Sequence, residues 1–88
     1  VKPINPKKSK VFSFLIGLIY GYRTADIELK VFSLEEFDIN NHEGFDIYFL
    51  DKRTDNVSKN KPLENPTHIV ALKEDFEAKK VRIYIYKL

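Results

Sequence analysis

Three short segments of this chain alternate their side chains with a period of two, and that rhythm constrains the fold more than any other feature. A residue pattern of this period places one set of side chains on each face of a β-strand. In residues 25–32, ADIELKVF, the apolar Ile27, Leu29 and Val31 oppose Glu28 and Lys30. In residues 45–51, FDIYFLD, Phe45, Ile47 and Phe49 share one parity, against Asp46 and Tyr48. Residues 67–73, THIVALK, read as a further strand. Residues 81–88, VRIYIYKL, alternate most cleanly, with Val81, Ile83 and Ile85 opposite Arg82, Tyr84 and Tyr86. β-Branched and aromatic residues of this kind fit a pleated surface.

A fifth apolar segment, residues 11–22, VFSFLIGLIYGY, also shows two parities. Phe12, Phe14, Ile16, Leu18, Tyr20 and Tyr22 form a large face, with Gly17 placed to mark a bulge and Gly21 a turn. This reads as a strand buried on both sides, with a short buried helix as the rival, because periodicity is ambiguous in a uniformly apolar run. The segment is shorter than the roughly 20 residues a helix needs to cross a bilayer, and Arg23 follows it at once; no membrane span is expected. The motif Ser33-x-x-Glu36 has the capping-box form and predicts a helical turn near 34–38.

Short connections favour antiparallel neighbours. The sequence therefore predicts a mostly β domain: a small antiparallel five-stranded barrel or sandwich with at most one or two short helical turns, over residues 10–88. Pro3 and Pro6 among lysines predict a flexible basic arm over residues 1–9. Residues 52–66, KRTDNVSKNKPLENP, read as a long polar loop in which Asn56, Ser58 and Asn60 are expected to tolerate substitution. A chain of 88 residues beginning at Val1 is expected to be processed, or part of a longer protein.

Charge is strongly segregated. Residues 1–25 carry Lys2, Lys7, Lys8, Lys10 and Arg23 and no acid, while residues 26–51 carry eight acids against Lys30. Such a chain can pair its acidic middle with its basic ends, or present a basic face to an anionic partner. Without cysteine, disulfides, thiol nucleophiles and thiolate zinc sites are excluded.

No phosphate-binding loop, nucleophile elbow or zinc-protease motif is present. His42 reads as a solvated loop residue and His68 as a strand residue at the sheet border. Asp38, Asn40, His42, Glu43 and Gly44 are spaced like the start of a calcium loop, but Glu43 stands where that loop needs Gly and Phe49 where it needs Glu. No catalytic residue, cofactor or metal is expected, and the chain reads as a non-enzyme. The expected contact surface is Arg82, Tyr84 and Tyr86, joined by Tyr48, because exposed Tyr and Arg are typical binding anchors. The expected role is a protein-interaction module, as a domain of a larger protein or a small accessory protein of phage or plasmid type. The alternative is nucleic-acid binding through the arm lysines Lys7, Lys8 and Lys10 and the Tyr/Arg strand.

Pro3, Pro6, Lys7, Lys8 and the Gly17-containing apolar run together resemble the approach to the second membrane helix of bacterial polysaccharide chain-length regulators. The resemblance covers only the start of the chain, the run is too short for that helix, and no family is assigned on it.

Overall fold

The computed structural model describes residues 9–88. Its elements are α1 (Lys10–Gly21), β1 (Asp26–Ser33), β2 (Asp46–Asp51), β3 (Asn56–Lys59), β4 (His68–Asp75) and β5 (Lys80–Lys87), with single 3₁₀ turns at Leu34–Glu36 and Ile39–Asn41. The strands form one sheet in the order β1-β5-β4-β2-β3. The sheet is open, so the fold is mostly β but not a barrel, and among the described residues no second sheet makes a sandwich. It is also mixed: β1 runs parallel to β5, with Asp26 level with Lys80 and Ser33 with Lys87. The other pairs are antiparallel. The parallel pair replaces the expected all-antiparallel order because the chain from β1 to β5 passes through β2, β3 and β4 first.

The largest departure from the sequence reading is residues 11–22. They belong to the 12-residue helix α1, with Tyr22 as its C-cap, and not to a strand. Ser9 starts it: its hydroxyl accepts the Phe12 N–H at 2.9 Å, as an N-cap does. Val11, Phe14, Leu15, Leu18 and Tyr22, at helical spacing, pack on the sheet against Leu50, Val70, Leu72, Val81 and Ile83. That stripe is present in the sequence, but the apolar residues between its members hide it. Gly17 marks no bulge; it sits on the outer side of the helix with open space above its Cα.

The polar stretch 52–66 is not a loop throughout. It supplies β3, and through Asp55 it caps α1: Asp55 Oδ1 accepts the Val11 N–H at 3.1 Å. A carboxylate at a helix N-terminus meets the positive end of the dipole, and these backbone N–H groups hold the Asp55 carboxyl below its ordinary value. Asn60 closes the same region. Its backbone φ is +60°, a left-handed conformation that Asn tolerates better than most residues. Its N–H donates to the Ile47 carbonyl at 2.6 Å, and its Oδ1 accepts the Ile47 N–H at 2.9 Å. The expectation of tolerance therefore fails at this position. Asn60→Ala is expected to cost about 1–3 kcal/mol through the lost acceptor and the backbone conformation. The exposed Asn56→Ala should cost less than about 0.5 kcal/mol. Urea denaturation of both variants checks the difference; equal midpoints would refute it.

The second face of the sheet carries Ile47, Phe49, Ile69, Ala71 and Tyr86. The segment between β1 and β2 folds over it, bringing Leu34, Phe37 and Phe45 down onto these residues. The predicted turn is there: the Ser33 N–H donates to Glu36 Oε2 at 2.8 Å at the start of the first 3₁₀ turn. Gly44, at φ +84°, makes the bend that returns the chain into β2.

Candidate interaction surfaces

The strand register lays out the second face in rows across β1, β5 and β4. Asp26, Lys80 and Asp75 form the first row. Glu28, Arg82 and Lys73 form the next, followed by Lys30, Tyr84 and Ala71, then Phe32, Tyr86 and Ile69. The segment 34–45 packs over the last two rows and leaves the charged rows open. A shallow cleft there is lined by Lys73, Asp75, Lys80 and Arg82.

The four residues expected to bind together are thus divided. Arg82, Tyr84 and Tyr86 do share one face of β5, but their environments differ. Arg82 is exposed, with Nε 3.8 Å from Glu28 Oε2. Tyr84 is half-buried; its hydroxyl donates to Glu28 Oε2 at 2.5 Å, which holds the Glu28 carboxyl below and the tyrosine above their ordinary pKa values. Tyr86 is only 5 % exposed and belongs to the core; burial raises its pKa. It is buried because the segment 34–45, read from the sequence as a helical turn and a polar loop with no place over the sheet, covers it. Tyr48 lies on the opposite face, its ring 4.8 Å from that of Phe14 on α1. It cannot join the other three, because Tyr48 and Leu50 share a parity that points to the helix. Lys7 and Lys8 lie outside the described residues, and Lys10 is the exposed first residue of α1.

His42 is not a solvated loop residue either. It is 8 % exposed. Its Nδ1 lies 2.6 Å from the Asp38 carbonyl and its Nε2 2.7 Å from the Tyr86 hydroxyl. Phe37 stacks on its ring and Phe45 meets it edge-on. Asp38, the first residue of the calcium-like spacing, caps the turn instead, accepting the Asn40 N–H at 3.0 Å. Among the described residues no three metal-ligating side chains converge. His68 sits at the start of β4, partly buried, with Nδ1 2.8 Å from Thr67 Oγ1. Burial, with Lys87 and Lys52 nearby, lowers its pKa. The acidic middle does pair in part with the basic end, through Glu28 and Arg82.

The apolar surface that the sequence reading missed is the outer side of α1. Phe12 (61 %), Ile16 (44 %), Ile19 (45 %) and Tyr20 (64 %) are exposed there, and no charged residue stands between Lys10 and Arg23. A helix that is apolar all round is usually covered on both sides. The signal was available: once Val11, Phe14, Leu15 and Leu18 are assigned to the sheet, the remaining apolar positions must face outward. Among the described residues no helix is long and apolar enough to cross a membrane.

Comparison of the chain with known protein families, with curated proteins and with solved structures finds no match.

Proposed function

We propose that this chain is a non-catalytic protein-interaction module that docks a partner protein on the outer face of α1. The observation that carries the reading is the exposed group Phe12, Ile16, Ile19 and Tyr20 on a helix whose other side is already buried. Aromatic and branched residues in one contiguous patch make an interface centre. Arg82, with the edge of Tyr84, is on the other side of the sheet and is at most a second contact. Nucleic acid fits the charged rows less well, because Asp26, Glu28 and Asp75 stand among Lys73, Lys80 and Arg82 and repel phosphate. A lipid surface fits the helix less well, because the Asp55 carboxylate caps one end of α1 and Glu74 lines the same cleft as Tyr22 at the other.

The test is a photo-cross-linking residue placed at Ile16, with Lys61 as a control position on the far loop. A discrete protein adduct is expected from Ile16 and not from Lys61. Phe12, Ile16 and Tyr20 replaced together by Gln should abolish binding of that protein while circular dichroism and melting stay close to the parent, since all three are exposed. Undiminished binding by the triple variant would remove the helix face from the reading. Binding to a generic DNA or RNA oligonucleotide that weakens by orders of magnitude with salt would replace it with the nucleic-acid reading.

A further inference from the structure

β1 is an edge strand. It pairs with β5 on one side, and among the described residues nothing pairs with its other side. Natural proteins seldom leave an eight-residue edge uncovered, because its free N–H and C=O groups are a template for another strand. Which groups are free follows from one bond. The Asp26 N–H donates to the Lys79 carbonyl at 3.1 Å, so Asp26, Glu28, Lys30 and Phe32 turn their backbone groups toward β5. Ile27, Leu29 and Val31 then turn theirs outward. The outward positions on either side of these three are already occupied. The Ala25 N–H donates to the Tyr22 carbonyl at 2.8 Å, and the Ser33 N–H donates to Glu36 Oε2 at 2.8 Å. The open part of the edge is therefore a short symmetric stretch centred on Leu29.

The side chains have the same centre. If a second copy of β1 lies antiparallel with Leu29 opposite Leu29, then Ile27 faces Val31 and Glu28 faces Lys30, twice each by symmetry. Hydrogen-bonded pairs in such a ladder exchange both their bonds. In this register they are Ile27 with Val31, and Leu29 with Leu29. Glu28 and Lys30 then fall in the closer, non-hydrogen-bonded pairs, at about 4.5 Å between Cα atoms. Sliding the copies by one allowed step sets Lys30 against Lys30 or Glu28 against Glu28, and like charges directly opposite are destabilising. On the helix side of the sheet, Leu29 (46 %) and Val31 (56 %) are exposed where α1 does not reach. In the paired form Leu29 would meet Leu29, and Val31 would meet Ile27, of the other copy.

We propose that β1 is a self-association edge through which two copies join antiparallel about Leu29 into one continuous sheet, a closed two-fold dimer. The surface is distinct from the outer face of α1 and does not depend on the reading given above. The edge is short, so the dimer is of modest affinity, with dissociation at about 10–500 µM.

Sedimentation equilibrium of the full chain across that range tests it. The parent should be a reversible dimer. Lys30→Glu, at an exposed position, should weaken it by about tenfold or more, because the new carboxylate then lies directly opposite Glu28 of the other copy. Glu28→Lys should do the same, and an equimolar mixture of the two variants should recover the parent affinity, since each then supplies the opposite charge. Because Glu28→Lys also loses the Tyr84 bond, Leu29→Pro is the second line. It removes an outward N–H only, which an edge strand tolerates, and should leave a folded monomer. A parent that stays monomeric at about 1 mM, or a Lys30→Glu variant that associates as tightly as the parent, overturns the proposal.

Discussion

Ile83→Ala is expected to cost about 2–5 kcal/mol, as other large-to-small changes in packed cores do. Ile83 is fully enclosed between α1 and the sheet, together with Leu50 and Val70. Truncation removes buried apolar surface and leaves a cavity lined by neighbours held in place by the sheet on one side and the helix on the other. A domain of this length has only about 4–13 kcal/mol of total stability. The loss is therefore a large fraction, and the variant should melt well below the parent or fail to fold at room temperature. Phe49→Ala should cost about 3–5 kcal/mol on the opposite face, where Phe49 meets Phe37 edge-on. Ile16→Ala, on the exposed side of α1, is the control and should cost less than about 1 kcal/mol. Urea denaturation with a common slope measures all three. If Ile83→Ala and Ile16→Ala lose similar amounts, the two sides of α1 and the sheet have been assigned the wrong way round.

The parts of the fold legible in the sequence are those in which one physical signal dominates. The period of two set the faces of β1 and β5 correctly, because each carries polar residues on one parity that break the ambiguity; β4, apolar on both parities through Ile69–Leu72, was legible as a strand but not by its faces. The turn at Leu34 was legible from Ser33 and Glu36 alone, since a cap is a local arrangement. Residues 11–22 were not legible, because a run with scarcely any polar residue fits a strand and a helix equally; the Ser9 cap that starts the helix is a finding of the structure. β3 was hidden in a polar stretch because edge strands need little apolar content. What held it in place, Asn60 bonding back to Ile47 and Asp55 reaching α1, depends on contacts between distant residues. The candidate surface was legible only in part, for the same kind of reason. Parity placed Arg82, Tyr84 and Tyr86 on one face, but it carries no information on what lies above that face. The segment 34–45 covers Tyr86, half-covers Tyr84 and leaves Arg82 open.

The covering of Tyr86 leads to the second large expected effect. The Asp38 carbonyl can only accept, so His42 Nδ1–H donates to it, and in the neutral ring Nε2 is left to accept the Tyr86 hydroxyl proton. This bond ties the middle of the 34–45 segment to the sheet, inside a cluster formed by Phe32, Phe37, Phe45 and Tyr84. Tyr86→Phe keeps the ring and its packing but leaves Nε2 buried without a partner. That should cost about 1–3 kcal/mol, the penalty for one unsatisfied buried polar atom. His42→Leu strands the Tyr86 hydroxyl, while the Asp38 carbonyl keeps the Asn41 N–H, so it should cost a similar amount. With both changes made, neither partner is left unsatisfied, and the double variant should lose less than the sum of the two, by about 0.5–3 kcal/mol. The loss should also be local before it is global. Amide exchange at residues 38–45 should accelerate in Tyr86→Phe while the amides of β4 keep their protection. Strictly additive stability losses, or exchange that accelerates equally across the whole sheet, would show that His42 and Tyr86 do not act as a pair and that the segment is held by its aromatic packing alone.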